Sequence, residues 1–310
     1  MKILLTTTSF QDTPGKHHDL LNSQNWDIDY LRGPVEESVL LPIIHKYDGV
    51  ICGDDEYTRE VIKLGKEGKL KVLSKYGVGL DRIDLEAAKE FGIAVTNVPG
   101  INQVSVSEHV LALLFTFSKN IHVQYNSVQA GSWKRGIGYE IQGKTLGIIG
   151  LGAVGKELGK KASALGMKVL AYDIFKDQEF LDKYSEINFT TDIDDIYSKC
   201  DVISLHLPHN KITDKIINRE VIFNKFKKTP ILINTSRGKL IDTNALIDGL
   251  DNDKISGYLT DVLEIEPISI NEPLIGLDNV IITPHVGSRT YQSVEKQALM
   301  SIRNLIKHLK

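Results

Sequence analysis

The run Gly150-Leu151-Gly152-Ala153-Val154-Gly155 constrains this chain most, because of what flanks it. The apolar stretch Thr145–Ile149 precedes it, a helix-like segment from Lys156 to Leu165 follows, and a second apolar stretch, Lys168–Tyr172, ends in Asp173. Strand, glycine-rich turn, helix, strand and terminal acid is the order a dinucleotide site requires. Gly150 permits the tight turn, Gly152 a close approach of backbone to pyrophosphate, and Gly155 close packing of helix on sheet. Ala153 and Val154 place free N–H groups at the positive end of the helix dipole. Asp173 accepts hydrogen bonds from both hydroxyls of an adenine ribose and repels a 2′-phosphate. NAD is therefore expected over NADP, with Lys176 the one residue that keeps NADP open.

A fingerprint of this kind usually opens its own domain, yet here it lies near the middle of 310 residues. The first hundred residues already form an alternation of strands and helices. Strands are expected at Lys2–Thr7, Asp27–Leu31, Gly49–Cys52, Lys71–Lys75 and Ile93–Asn97, with helices at Val35–Lys46, Thr58–Lys66 and Asp84–Phe91. Such alternation predicts parallel strands joined by crossover helices. Helical spacing of Val106, Val110, Leu113, Leu114, Phe117 and Ile121 then predicts one long helix from about Val104 to Tyr125. Further strands are expected at Val202–Leu207, Ile231–Thr235, Ile255–Thr260 and Val280–Thr283, and an amphipathic helix from Tyr291 to the C-terminus. The expected fold is α/β with two doubly wound parallel-sheet domains. A Rossmann dinucleotide domain, residues 103–284, is inserted into a flavodoxin-like substrate domain made of residues 1–102 and 285–310.

Composition excludes several classes. Apolar residues make up 42% and charged residues 25%, an ordinary soluble balance, and the net charge of −3 provides no basic field for nucleic acid. No apolar stretch reaches membrane-spanning length, and the N-terminus runs directly into a strand pattern without a signal-peptide core. Cys52 and Cys200 lie in apolar runs without metal spacing, so reduced core thiols in a cytoplasmic protein are expected, with no metal site.

Three polar residues follow strand ends, where ligands of a parallel sheet bind. Arg237 sits in Asn234-Thr235-Ser236-Arg237-Gly238, Glu266 precedes Pro267, and His285 sits in Thr283-Pro284-His285. An arginine fork grips a carboxylate, a histidine exchanges a proton with a hydroxyl or keto oxygen, and a carboxylate beside that histidine fixes its tautomer. Glu264 is the competing acid. Taken singly, each residue also has a structural reading; beside a nicotinamide site their roles interlock.

With these motifs the chain resembles the NAD-dependent D-2-hydroxyacid dehydrogenases, of the phosphoglycerate dehydrogenase and hydroxypyruvate or glyoxylate reductase type. The resemblance runs through Lys75-Tyr76-Gly77-Val78-Gly79, Asn97-Val98-Pro99-Gly100, Gly143–Gly150, His206-Leu207-Pro208, Asn234–Gly238, Asp261-Val262, Glu266-Pro267 and Thr283–His285. It implies that Val78 and Gly79 offer N–H groups to the substrate carboxylate, that Lys75 lies at the substrate, and that Arg237 binds the carboxylate and the C2 oxygen. His285 would be general acid or base with Glu266 as partner. Asp261 would meet the nicotinamide carboxamide, and His206, Pro208, Thr213 and Thr235 would line the cofactor. A homodimer acting on a small 2-hydroxy or 2-keto acid is implied, without nucleic-acid or membrane partners. The loop Gly53–Tyr57 is acidic where relatives acting on 3-phosphoglycerate often carry arginine, leaving Lys75 and Arg135 as candidate phosphate partners. Two alternatives stand beside this reading: a catalytically idle NAD-sensing module like the corepressors that share the fold, and a phosphite or formate dehydrogenase. Glutamate at 266, where formate dehydrogenases carry glutamine, disfavours formate.

Overall fold

Burial on both faces of short strands organises the molecule. A computed structural model describes all 310 residues, and the chain divides into two compact units, Met1–Asn102 with Ser288–Lys310, and Gln103–Gly287. Unit 1 holds β1 (Lys2–Leu5), β2 (Asp27–Tyr30), β3 (Gly49–Cys52), β4 (Val72–Lys75) and β5 (Ala94–Thr96), all parallel in the order β2-β1-β3-β4-β5. Leu4, Val50, Cys52 and Leu73 enter one core. Ile3, Leu5, Ile51 and Val72 enter another, completed by Ala298, Ile302, Leu305 and Leu309 of the C-terminal helix Tyr291–Leu309. Each fully buried aliphatic side chain contributes roughly 1.5–3 kcal/mol of transfer free energy. Such runs are therefore continuous in hydrophobicity rather than alternating, as in other parallel sheets.

Unit 2 holds β6 (Thr145–Ile149), β7 (Lys168–Tyr172), β8 (Ile187–Thr190), β9 (Val202–Leu205), β10 (Ile231–Asn234), β11 (Gly257–Thr260) and β12 (Val280–Ile282), all parallel in the order β12-β11-β10-β9-β6-β7-β8. Its sheet is again cored on both faces. The chain passes from β6 to β7 on one side and returns beside β6 as β9, so the strand order reverses at the β6/β9 boundary. That is the topological switch point at which open α/β sheets bind ligands.

Several details differ from the sequence expectation. The helix expected over Val35–Lys46 is a short helix, Glu37–Leu40, and a separate helical turn, Ile44–Lys46. Unit 2 runs to Gly287, and Asp261 within it holds the N–H groups of Val286 and Gly287. The helix expected over Val104–Tyr125 is two helices, Gln103–Ser118 and Ile121–Gln129, separated at Asn120, which takes a left-handed φ of 53°. No helix is long and apolar enough to cross a membrane.

Candidate active site

At the switch point of unit 2 the chain leaves β6 through Gly150, whose φ is +102°. A side chain at Gly155 would overlap the Gly150 carbonyl oxygen, so the helix Ala153–Ala164 reaches this turn only with glycine there. Space around Gly152 is open. The first helical hydrogen bond runs from the Lys156 N–H to the Gly152 carbonyl at 2.9 Å, which leaves the N–H groups of Ala153, Val154 and Gly155 ahead of it. Asp173 at the end of β7 accepts from the Leu151 N–H at 2.6 Å and the Phe175 N–H at 3.0 Å. Its carboxylate thus fastens the glycine turn to the neighbouring strand and keeps further lone pairs for a ribose. Lys176 lies over the Phe189 ring at 5.9 Å.

His206 follows β9, and its Nε2 lies 2.9 Å from Ser204 Oγ. Burial pushes its pKa down to about 4, so the ring is neutral near pH 7. Thr235 Oγ1, beyond β10, is buried and has no protein partner. A buried hydroxyl in that state is costly unless a ligand satisfies it. Thr213 bonds the Pro208 carbonyl at 2.7 Å and takes the Asn210 N–H at 2.9 Å, closing the loop after β9. The unspent helix N–H groups, the open space at Gly152, the acid at Asp173 and the orphaned Thr235 hydroxyl fit a dinucleotide.

The proton-transfer candidates lie at the other end of the same sheet edge. His285 Nδ1 is 2.7 Å from Glu266 Oε2, and Glu266 Oε1 accepts the Leu263 N–H at 2.9 Å. Glu264 instead faces Thr243 Oγ1 at 3.5 Å, so Glu266 is the acid paired with the imidazole. Gly238, next to Arg237, packs directly on this loop, where an added side chain would overlap the Leu263 backbone. The Arg237 guanidinium donates to the Ser236 carbonyl at 2.7 Å, while the Asn234 amide holds the Arg237 carbonyl at 2.9 Å.

His285 has a left-handed φ of 53°, a conformation that costs a non-glycine residue free energy and persists only where its surroundings impose it. The His285 N–H donates to the Asp261 carbonyl at 2.9 Å. The Asp261 carboxylate, 2% exposed, accepts from Thr283 Oγ1 at 2.6 Å, the Val286 N–H at 2.9 Å and the Gly287 N–H at 2.7 Å. Burial works to raise Asp261, but bonds from His109, Thr283 and these N–H groups outweigh it and hold the carboxyl below its ordinary range. His109 Nε2 lies 2.9 Å from Thr283 Oγ1 and 3.4 Å from Asp261 Oδ1. Since the Thr283 hydroxyl donates to Asp261, it accepts from His109, which fixes the His109 tautomer with the proton on Nε2. Ser105, one helical turn before His109, bonds the Gly287 carbonyl at 2.7 Å. His109 was not singled out from the sequence; its signal is a polar residue four positions after Ser105 in a largely apolar helix.

In unit 1, Val78 and Gly79 follow β4 in a loop whose backbone hydrogen bonds use neither of their N–H groups. Lys75 is buried, and its Nζ donates to the Gly53 carbonyl and to Asp54 Oδ1, both at 2.6 Å. Arg135 is exposed in the irregular stretch after the helix Ile121–Gln129.

The chain matches the family model described as D-isomer specific 2-hydroxyacid dehydrogenase, NAD binding domain, over residues 111–287. It is 37% identical over 280 residues to the hydroxypyruvate reductase of Thermotoga maritima, covering 89% of each chain. It is 39% identical over 269 residues to a D-3-phosphoglycerate dehydrogenase of Methanocaldococcus jannaschii, covering 86% of this chain but only 50% of that one. A crystal structure of a Thermus thermophilus protein superposes with a TM-score of 0.87 at 33% identity, covering 99% of this chain and 96% of that one. The chain belongs to the D-isomer specific 2-hydroxyacid dehydrogenases, NAD-dependent oxidoreductases of 2-hydroxy acids.

Proposed function

We propose that the enzyme reduces a short 2-keto acid with NADH, or oxidises the corresponding D-2-hydroxy acid, with His285, Glu266 and Arg237 as its catalytic residues. The observation that carries this reading is the 2.7 Å contact between His285 Nδ1 and Glu266, on the same sheet as the dinucleotide turn. When bound, the nicotinamide supplies or accepts a hydride at C2. His285 Nε2 gives the C2 oxygen its proton in reduction and takes it back in oxidation. Glu266 holds the imidazole by Nδ1 and stabilises the imidazolium before transfer. Arg237 grips the substrate carboxylate with its fork and polarises the reacting carbonyl. The unused N–H groups of Val78 and Gly79 give unit 1 an anion site of its own. Asp261, with its oxygens committed to Thr283, Val286 and Gly287, is assigned to positioning His285.

The helix N-terminus at Ala153–Gly155 holds the pyrophosphate and Asp173 the adenine ribose. Asp173 and the placement of Lys176 over Phe189 both support NAD over NADP. A homodimer is supported by the exposure of Ile121, Tyr125, Trp133, Ile137 and Tyr139, five large apolar or aromatic side chains within residues 121–139. The unpaired buried thiols of Cys52 and Cys200 suit the cytoplasm.

The test is NADH oxidation with glyoxylate, pyruvate, hydroxypyruvate and 3-phosphohydroxypyruvate, repeated with NADPH. Turnover of at least one acid, faster with NADH, is expected. NADH binding without turnover of any 2-keto acid would leave a sensing module in place of an enzyme.

A further inference from the structure

The helix Gln103–Ser118 packs Val110, Leu111, Leu113 and Leu114 into the core of unit 2. It also sends two polar side chains, Ser105 and His109, onto the segment Thr283–Gly287 that carries His285. We propose that His109 is a positioning residue for proton transfer, acting on His285 through Thr283 and Asp261. The proposal rests on the reading above in which His285 moves the proton, and every residue in it belongs to unit 2.

Asp261 is the centre of the arrangement. The Thr283 hydroxyl and the N–H groups of Val286 and Gly287 bond its carboxylate, and the His285 N–H bonds its carbonyl. This cradle surrounds His285 on both sides and holds its left-handed φ. The packing leaves little slack: a Cβ on Gly287 would stand 2.9 Å from Asp261 Oδ2 and 3.4 Å from His109 Cδ2. Three donors on one carboxyl require the ionised form, because a protonated acid must place its own hydrogen and gives up acceptor capacity. Burial opposes that form, so each donor that reaches the carboxylate matters to the cradle.

His109 reaches it in two ways. The Thr283 hydroxyl has a single hydrogen and lies 2.6 Å from Asp261 Oδ1 and 2.9 Å from His109 Nε2. A bare Nε2 would compete with Asp261 for that hydrogen. With its proton on Nε2, His109 instead donates to Thr283 Oγ1 and commits the hydroxyl to Asp261. The same N–H stands 3.4 Å from Asp261 Oδ1 and adds its own attraction. A histidine that only filled space here could be exchanged for any side chain of its size. One that acts by donating can be exchanged only for another donor.

The experiment measures kcat and KM for the best 2-keto acid, the Kd for NADH, the pH profile of reduction and the denaturation midpoint of the cofactor-free protein. The variants are His109→Leu, which donates nothing, His109→Gln, whose amide keeps a donor, Thr283→Val, and the double variant His109→Leu/Thr283→Val. His109→Leu should lower kcat by about 10-fold or more, the scale of a lost bond supporting a buried charge, with KM and the NADH Kd within about 3-fold of wild type. His109→Gln should recover most of that loss. Without the His109 bond, burial raises the Asp261 carboxyl, so reduction by His109→Leu should fail on acidification at a higher pH than in wild type. Protonation of His285 favours reduction and does not produce this limb. The double variant should be no slower than the slower single variant, since both cut one chain. If His109→Leu does not fold, Thr283→Val is read in its place against the same outcomes. Wild-type kcat and acid limb in His109→Leu, a His109→Gln as impaired as His109→Leu, or a loss of kcat matched by the loss of NADH affinity overturns the proposal. A His285→Ala enzyme with near-normal kcat defeats the proton-transfer reading itself, whereas an inactive His285→Ala beside a normal His109→Leu defeats only the role of His109.

Discussion

The backbone of His285 shows how much of the candidate site is built by residues that never touch a substrate. A left-handed histidine is imposed here by Asp261, which bonds the chain on both sides of it, and by Thr283 and His109 behind Asp261. Arg237, Glu266 and His285 were singled out from the sequence because each follows a strand end within six residues. His109 was not, since its partner Thr283 lies 174 residues away and the pairing exists only once the sheet has formed. Sequence left Glu264 and Glu266 open, and the turn that aims Glu266 at His285 Nδ1 decides between them. Glu266→Gln should move the pH profile for keto-acid reduction to lower pH, because a neutral amide no longer favours the imidazolium. A profile identical to wild type would remove Glu266 from the proton chemistry. His206 supports a second residue-level prediction. Its folded pKa of about 4 lies below the ordinary histidine value of 6.5, so the unfolded chain takes up this proton first as pH falls. Its contribution to stability is complete above pH ~6.5 and is lost between there and pH ~4, up to about 3 kcal/mol. Urea unfolding at pH 7.5 and 4.5 should therefore show a smaller pH dependence in His206→Asn than in wild type; equal dependence would mean the ring is not buried neutral.

Among the elements, strands buried on both faces were the most legible, because their continuous apolar runs admit few other readings. Gly49–Cys52, Thr145–Ile149 and Lys168–Tyr172 match residue for residue, and the other expected strands differ by one or two residues in total extent. The strand β8, Ile187–Thr190, was not read from the sequence. It lies at the sheet edge with only Ile187 buried, and its polar residues hide the pattern. The apolar periodicity from Val106 to Ile121 suggested one helix, yet the segment after Asn120 buries no residue. There the apolar residues face outward, and periodicity alone cannot distinguish a core face from an exposed one. The fingerprint helix gives the element-level prediction. In Gly155→Ala the new methyl group collides with the Gly150 carbonyl and comes within 3.1 Å of Ile148 Cγ2. Helix and turn must move apart, at about 1–3 kcal/mol for such overpacking, and NADH affinity should fall about 10-fold or more. Fluorescence titration with NADH checks this, and wild-type affinity in Gly155→Ala would detach the turn from cofactor binding.

Across the whole molecule, the chain begins one unit, builds the other in full, and returns to complete the first. The C-terminal helix makes that return necessary: Ala298, Ile302 and Leu305 are fully buried against β1, β3 and β4. Leu305→Ala should destabilise unit 1 by about 2–5 kcal/mol, seen as a lowered denaturation midpoint, and a midpoint equal to wild type would show that the helix is dispensable to that core. The position of one glycine run led the sequence reading to this interrupted layout, and Val286 and Gly287, the last residues of unit 2, are held by hydrogen bonds to Asp261. As proposed, this NAD-dependent 2-hydroxyacid oxidoreductase passes the reacting proton through His285. The most direct test is paired kinetics and NADH binding for His285→Ala with the best 2-keto acid. Proton transfer through His285 requires that kcat fall by about 10²–10⁴-fold while the Kd for NADH stays within about 2-fold of wild type. Near-normal kcat in His285→Ala, or a loss of activity that follows a loss of NADH binding, would contradict it.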